Sequence, residues 1–200
     1  MMQTESGIGV LILAAGNSSR MGQPKQLLLY KNKTLLRHIA EVAIAAVNTP
    51  VAVISGAYTD LIQDELSSLP VYQLHNPFWQ EGIASSIRMG VLYLTQHHPN
   101  LTGIILCVSD QPYIEPVLLE SLINNSVAAP HKIIACSYDN TLGTPVLFSA
   151  SYYDALITLK GAEGAKKLLR KYSDEVIPIP FLLGGIDIDT PEDYQRLMDL

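Results

Sequence analysis

Two overlapping segments near the N-terminus, GVLILA (Gly9–Ala14) and LAAGNSSRMGQPKQLL (Leu13–Leu28), decide the fold. The first is a continuous aliphatic run, which is typical of a strand that is covered on both faces of a sheet. The second continues the strand into a loop of glycines and small polar residues that carries one arginine and one lysine. A buried strand that opens into such a loop predicts a ligand-binding edge at the carboxyl end of a parallel sheet.

The rest of the chain alternates between strand-like and helical patterns. Apolar runs predict further strands at VAVIS (51–55), VYQL (71–74), GIILCV (103–108), KIIACS (132–137) and PVLFS (145–149). A last run, GIDID (185–189), is also expected to end a strand, and helical spacing of apolar residues occupies the segments between the strands. This alternation predicts an α/β fold with a mostly parallel central sheet and helices on both faces.

Two helix starts are marked by capping residues. Thr34 precedes a helical pattern and suits an N-cap, and Thr190 is followed by Pro191 and, three residues after the cap, Asp193. The 200 residues, of which 48% are hydrophobic, suit a single domain over residues 1–200 with a flexible lead-in over residues 1–7.

Composition excludes several classes of partner. The net charge of −6 argues against nucleic-acid binding, which favours a basic surface. The apolar runs are too short to span a bilayer, so no membrane partner is expected, and no lysine or arginine precedes the first run as in a signal peptide. Cys107 and Cys136 lie in strand-like runs far apart, which favours free thiols in a reducing cytoplasm.

The loop after the first strand has the composition of a phosphate-binding site. Gly16 and the small residues after it can turn the backbone and direct N–H groups inward. Arg20 offers a planar fork of donors and Lys25 a mobile point charge, so together they suit a triphosphate. The P-loop and G-x-G-x-x-G patterns both fail here. From composition alone, an ordinary surface loop remains an alternative.

The segment LAAGNSSRMGQPK resembles the L-A-[AG]-G-x-S-x-R-M-G-x-x-K signature of nucleotidyltransferases. Within that group the chain resembles the molybdenum cofactor cytidylyltransferase-like (MobA-like) branch, through NPFWQEGIASSIRMG, VSDQP, GTPVLF and DIDTPED in the family's order. The resemblance implies a Rossmann-like nucleotidyltransferase fold. It also implies that the nucleotide is lined by Leu13, Ala14, Ala15 and Gly16, that the phosphates are held by Arg20 and Lys25, and that Mg²⁺ is bound by Asp110.

Two acidic positions are the candidate metal ligands. Asp110 follows the GIILCV strand, where a carboxylate can hold Mg²⁺ and leave its other ligands to waters and phosphates. A turn before Pro112 is the structural alternative. Asp187 matches the second metal contact of the wider group, although Asp189 is close enough to take this role. Asp189 also has a structural alternative, because it directly precedes the helix cap at Thr190.

A second block, NPFWQEGIASSIRMG, is expected to contribute to the nucleotide pocket. Asn76, Ser85 and Ser86 lie near a helix start, where small polar residues and free N–H groups can face a base or ribose. Ser55 is expected to form a wall of the same pocket. The alternative is that the two serines are solvent-facing helix residues.

Three positions depart from the branch that the chain resembles. Its G-D-x-G-A-R pattern is replaced by GAEGAK, with Ala162 in place of the acid and Lys166 in place of the arginine. Thr144 stands where histidine is frequent. If these residues contact the second substrate, the departures leave open which phosphorylated compound accepts the nucleotide.

The sequence thus predicts a Mg²⁺-dependent cytidylyltransferase that moves CMP from CTP to the phosphate of the molybdenum–molybdopterin cofactor and releases pyrophosphate. The resemblance implies that the catalytic residues are Arg20, Lys25 and Asp110, and the LAAG segment, where guanylyl relatives more often have LAGG, favours cytidine. The alternatives are GTP as donor, a sugar, polyol or terpenoid-precursor phosphate as acceptor, and a non-catalytic nucleotide-binding cofactor-insertion protein. The recipient of the product would be a molybdenum hydroxylase or its chaperone.

Overall fold

The structure, a computed structural model, describes residues 7–47 and 50–199. Its strands are β1 (Ile8–Leu13), β2 (Leu29–Tyr30), β3 (Lys33–Thr34), β4 (Val51–Ser55), β5 (Tyr72–His75), β6 (Gly103–Val108), β7 (Ile133–Tyr138), β8 (Thr141–Ser149) and β9 (Val176–Pro180). Seven strands form one sheet in the order β5-β4-β1-β6-β8-β7-β9, and β2 pairs with β3 in a small ribbon. Strand β8 alone runs against its neighbours, so the predicted mostly parallel sheet is confirmed.

Helices cover both faces of this sheet. They are α1 (Leu35–Ala46), α2 (Thr59–Leu66), α3 (Ile83–His97), α4 (Pro116–Ala128), α5 (Tyr153–Ile157), α6 (Ala165–Lys171) and α7 (Pro191–Met198). Alternate residues of β1 point to opposite faces, so Val10 and Ile12 join the core under α1 and α4, while Leu11 joins the core under α3, α5 and α6. The strands supply aliphatic side chains to both cores, which explains why the sequences of the central strands are continuous aliphatic runs.

Both predicted helix caps are confirmed. The Thr34 hydroxyl accepts a hydrogen bond from the backbone N–H of Arg37. Thr190 and Asp193 form a reciprocal capping box at the start of α7, with Pro191 in the first turn.

The structure corrects two expectations about the C-terminal part of the chain. The GIDID segment does not end a strand; it is irregular chain that runs beside the end of β6, where the backbone N–H of Ile188 donates to the Asp110 carbonyl oxygen at 3.0 Å. The last strand is β9, which lies at the edge of the sheet and, within the described part of the chain, pairs with β7 alone. The sequence did not predict this strand because it contains Pro178 and Pro180. Proline argues against a central strand, and is tolerated here because β9 has a free edge.

The predicted N-terminal lead-in falls mostly on residues 1–6, which lie outside the described residues. Gly7 is anchored, since its carbonyl oxygen accepts from the backbone N–H of Thr102 at 2.6 Å. Both cysteines are free and buried, and burial raises the pKa of Cys136 to about 12. No helix within residues 7–47 and 50–199 is long and apolar enough to cross a membrane.

Candidate functional site

A cavity of about 320 Å³ opens at the carboxyl ends of β1 and β6. This is the edge at which parallel α/β sheets bind ligands. The structure brings seven of the predicted site residues to its wall, namely Leu13, Ala14, Ala15, Gly16, Lys25, Ser86 and Asp110. The loop after β1 and the end of β6 therefore form one site.

Lys25 is the centre of a charged cluster at the head of this cavity. Its Nζ lies 2.5 Å from Oδ2 of Asp110 and 2.7 Å from Oδ1 of Asp189. Burial acts to lower the pKa of Lys25, but the two carboxylates outweigh burial and hold that pKa above its usual value. Arg20 completes the cluster, with Nη2 2.7 Å from the second oxygen of Asp189. Lys25 and Arg20 thus lie side by side on the two oxygens of one carboxylate.

Gln26, which the sequence analysis missed, shapes the loop before Lys25. Its side chain is 1% exposed, and Nε2 donates to the carbonyl oxygens of Ala14 at 3.1 Å and Gly16 at 2.9 Å. Its Oε1 accepts from the Ser18 hydroxyl, whose oxygen in turn accepts from the backbone N–H of Lys25. These bonds hold both ends of the loop in place. Nothing in the sequence around Gln26, which is followed by Leu27 and Leu28, predicted that its polar side chain would be buried.

The chain matches one known family over most of its length. Residues 10–176 match the family described as the MobA-like NTP transferase domain. This protein belongs to that family. Membership makes the chain a MobA-like nucleotidyltransferase, as its resemblance predicted.

Individual relatives of this MobA-like nucleotidyltransferase carry different names. It is 26% identical to nicotine blue oxidoreductase of Paenarthrobacter nicotinovorans, over 94% of this chain and 95% of the relative. It is also 26% identical to molybdenum cofactor cytidylyltransferase of Escherichia coli (strain K12), over 94% of each. Rv0371c from Mycobacterium tuberculosis H37Rv superposes with a TM-score of 0.80 at 30% identity, over 96% of this chain and 98% of that one. The same protein has been solved in complex with manganese.

Asp110 has an oxygen available for a metal ion. Oδ2 is paired with Lys25, but Oδ1 is buried and has no hydrogen-bond partner within the described residues. A buried carboxylate oxygen without a partner is costly, and a divalent cation would satisfy it. No group of three or more His, Cys, Asp or Glu side chains in residues 7–47 and 50–199 is arranged to hold a metal. An ion on Asp110 would take most of its other ligands from phosphate oxygens and water.

Asp187 lies two residues before Asp189, whose carboxylate shares the Lys25 amine with Asp110. Its side chain is exposed, yet the surrounding protein displaces enough solvent to raise its pKa, and the negative charges of Asp110 and Asp189 raise it further, to about 6. The positive charges of Lys25 and Lys166 oppose this rise. A carboxylate whose charged form is destabilised by burial and by neighbouring acids is suited to accept a cation. Its assignment as second metal ligand stays a prediction.

We expect Asp187→Asn to stabilise the metal-free protein, and more so as pH rises. The pKa of Asp187 is higher in the folded chain than its ordinary value of 3.8, so ionisation destabilises the fold increasingly from about pH 4 to pH 6, and fully above that. With allowance for solvent screening, removing this charge contributes about 1 kcal/mol, or ~2–4 °C in Tm. Melting curves of both proteins in EDTA at pH 5 and pH 8 test this. An equal Tm difference at both pH values would contradict it.

The structure assigns Asn76, Ser85 and Ser55 to internal hydrogen bonds. Nδ2 of Asn76 donates to the hydroxyl oxygens of Ser85 at 2.8 Å and Ser86 at 3.0 Å, which ties the chain after β5 to the start of α3. The Ser85 hydroxyl donates to backbone carbonyls, and Ser55 contacts Thr59 and the Leu74 carbonyl. Of these four predicted pocket residues, only Ser86 lines the cavity. The others support its wall from behind.

Trp79 also lines the cavity, and its position depends on Gly56. A Cβ atom on Gly56 would lie 2.6 Å from the Ala15 carbonyl oxygen and 2.7 Å from Cγ of Trp79. Glycine therefore allows the end of β4, the backbone of the loop after β1 and the indole ring to pack together at one side of the cavity.

Replacing Gln26 by leucine should impair nucleotide use more than overall folding. The carbonyl oxygens of Ala14 and Gly16 would lose their donor, at a cost of about 1–3 kcal/mol, and the loop would lose its fixed shape. We expect kcat/KM for the nucleotide to fall about 10-fold, because small misplacements of binding groups are costly. Steady-state kinetics and melting curves measure both effects. Gln23→Leu, at an exposed position of the same loop, is the matched control, and equal behaviour of the two variants would contradict the prediction.

Proposed function

We propose that this nucleotidyltransferase transfers CMP from CTP to an ionised phosphate of the molybdenum–molybdopterin cofactor, with Mg²⁺ as the metal. The contact of Lys25 with Asp110, at the head of a cavity walled by the glycine-rich loop, is the observation that carries this proposal. It joins a phosphate-binding cation to a carboxylate with an unpartnered oxygen. Phosphate transfer needs this combination of charge neutralisation and positioning.

Each residue of the cluster has a role in the proposed reaction. Asp110, with Asp187 beside it, would hold Mg²⁺, which when bound offsets negative charge on the phosphates. Lys25 and Arg20 donate N–H groups to the phosphate chain and stabilise the negative charge that gathers on the leaving pyrophosphate. The loop backbone from Leu13 to Gly16 fixes the direction of the nucleotide. The attacking phosphate is already ionised near neutral pH, so no residue must remove a proton.

A second cavity, of about 600 Å³, supports assigning the acceptor to the other side of the charged cluster. Its wall combines the cations Lys166 and Arg170 with Tyr138 and Leu182. A Cβ atom on Gly184 would lie 2.3 Å from Cδ1 of Tyr138, so the wall of this cavity packs against the chain three residues before Asp187. Cations beside an apolar wall suit an acceptor that carries a phosphate on a flat body.

Pyrophosphate release from the purified protein tests the proposal. CTP or GTP is supplied with Mg²⁺ or Mn²⁺ and with either molybdopterin cofactor or sugar, polyol and terpenoid-precursor phosphates. Release that requires CTP and molybdopterin cofactor is the expected result. Turnover with another acceptor would replace the proposed substrate, and nucleotide binding without turnover on any acceptor would favour the cofactor-insertion alternative.

We infer that the protein works in the cytoplasm and passes its product to a molybdenum hydroxylase or its chaperone. The two free, buried cysteines support a reducing compartment. The recipient follows from the proposed product, since a cytidylylated cofactor is useful only to an enzyme that binds it.

A further inference from the structure

Residues 181–188, here called the connecting segment, join the second cavity to the charged cluster. The segment is irregular chain between β9 and α7. Near its start, Leu182 lines the second cavity and is 87% exposed. Near its end lies Asp187, the predicted second metal ligand. The path of the connecting segment therefore decides where one part of the cavity wall lies.

Hydrogen bonds from other parts of the chain hold the connecting segment at its start, middle and end. At the start, the backbone N–H of Phe181 donates to the backbone of β7 at 3.0 Å, and at the end Ile188 is bonded to the backbone of Asp110. In the middle, Nε2 of Gln111 donates to the Gly184 carbonyl oxygen at 2.7 Å. The two outer bonds join backbone to backbone, whereas the middle one depends on the Gln111 side chain.

Thr144 fixes the orientation of the Gln111 amide. Gln111 is 3% exposed, and its Oε1 accepts from the Thr144 hydroxyl at 3.1 Å. With its oxygen directed at this hydroxyl, the amide presents its nitrogen, which can only donate, to the Gly184 carbonyl. Thr144 lies in β8 and is one of the three departures from the branch that the chain resembles. It therefore acts on the connecting segment through Gln111.

Close packing transmits the position of Gly184 to the cavity wall. A Cβ atom on Gly184 would collide with the ring of Tyr138 and would lie 2.6 Å from Cδ1 of Phe181. These two rings meet edge to face, with 6.3 Å between their centroids. Tyr138 also lines the second cavity. A shift of the Gly184 backbone would therefore displace Tyr138 and Leu182, which both belong to that wall.

We propose that Gln111, oriented by Thr144, is a positioning residue for the acceptor, because it fixes the connecting segment and so places Leu182 and Tyr138 in the cavity wall. The inference rests on the proposed function, which assigns the acceptor to this cavity. An apolar part of the acceptor would cover Leu182, and covering exposed apolar surface favours binding. The nucleotide cavity is lined by other parts of the chain, and Asp187 stays beside the anchored Ile188. Affinity for the nucleotide should therefore not depend on this bond.

Thr144→Val keeps the shape of the side chain and leaves the buried Gln111 oxygen without its donor. The Gln111 amide then loses its fixed orientation, and the amides of residues 182–186 should exchange hydrogen about tenfold faster. KM for the acceptor should rise about tenfold, because small misplacements of binding groups are costly. KM for the nucleotide should stay unchanged. Gln111→Met, which has a similar length and no amide, should change both quantities in the same direction.

Hydrogen exchange followed by mass spectrometry, together with steady-state kinetics in which acceptor and nucleotide are varied separately, tests the proposal. Thr144→Ser retains a hydroxyl and should restore the exchange rate and the acceptor KM. Thr102→Val is the matched control, because the Thr102 hydroxyl donates to the Gly7 carbonyl at the opposite end of β6. This control should leave both quantities as they are in the unchanged protein.

Unchanged exchange of residues 182–186 in both Thr144→Val and Gln111→Met would overturn the proposal. Faster exchange with a normal acceptor KM would overturn it as well, and so would an equal rise of KM for acceptor and nucleotide. Failure of the proposed function has a different result, since the unchanged protein would then release no pyrophosphate with any acceptor. In that case the acceptor role of Gln111 is also wrong, and faster exchange in the variants would show only that the bond holds the segment.

Discussion

Asp110→Asn should lower kcat/KM for nucleotidyl transfer by about 10³-fold, the largest loss we expect from a single substitution. The amide keeps the shape of the carboxylate but removes the charge that holds Lys25 and would hold a divalent cation. The fold should survive, because Lys25 keeps Asp189 as its partner. Asp110→Asn should not raise Tm by relieving repulsion between acids, because Asp110 is already paired with Lys25. We expect that gain from Asp187→Asn instead.

Metal titration separates this effect from general damage to the protein. Nucleotide binding by Asp110→Asn should lose its dependence on Mg²⁺ or Mn²⁺, and its Tm should stay within a few degrees of the unchanged protein. Asp154→Asn, at an exposed position in α5, is the control for losing one negative charge. A normal Mg²⁺ titration and normal activity in Asp110→Asn would mean that the site lies elsewhere.

Lys25→Ala should lower kcat/KM by about 10²–10³-fold, which is the typical cost of losing one preorganised electrostatic contact. The side chain is only 17% exposed, so neither water nor a neighbouring lysine can easily replace it. The variant also leaves Asp110 without its cation beside Asp187 and Asp189. We therefore expect a modest fall in Tm at pH 8 and a smaller one at pH 5, where these acids repel each other less.

Lys33→Ala provides the comparison for Lys25→Ala. Lys33 forms an exposed ion pair with Glu41, far from the cavity, and exposed pairs contribute about 0–1 kcal/mol. Turnover by this variant should be normal. If Lys25→Ala keeps more than about a tenth of the normal kcat/KM, the lysine does not hold the phosphates in the way that we propose.

Much of the fold could be predicted from local patterns. The aliphatic runs of β1 and β6 indicated buried parallel strands, because residues covered on both faces must be apolar. Thr34 and Thr190 marked helix starts through their own side chains. Two features of the sheet, the direction of β8 and the existence of β9, were not predicted from the sequence. The reversed direction of β8 depends on a tight turn at Asp139 and Asn140, which both have positive φ, and β9 is rich in proline that only an edge position tolerates.

The sequence by itself determined which residue types lie at the carboxyl end of the sheet. The loop with Arg20 and Lys25 had to follow β1, and Asp110 had to follow β6, because strand and loop are contiguous in the chain. Only the tertiary structure decided which of these side chains meet. Asp110 lies 85 residues from Lys25 along the chain and Asp189 lies 164 residues from it, yet both are within hydrogen-bonding distance of its amine. Local periodicity carries no information about such distant pairs, so the sequence left the role of Asp189 open between a metal ligand and a structural residue. It also gave no sign that the buried amide of Gln26 holds the loop after β1.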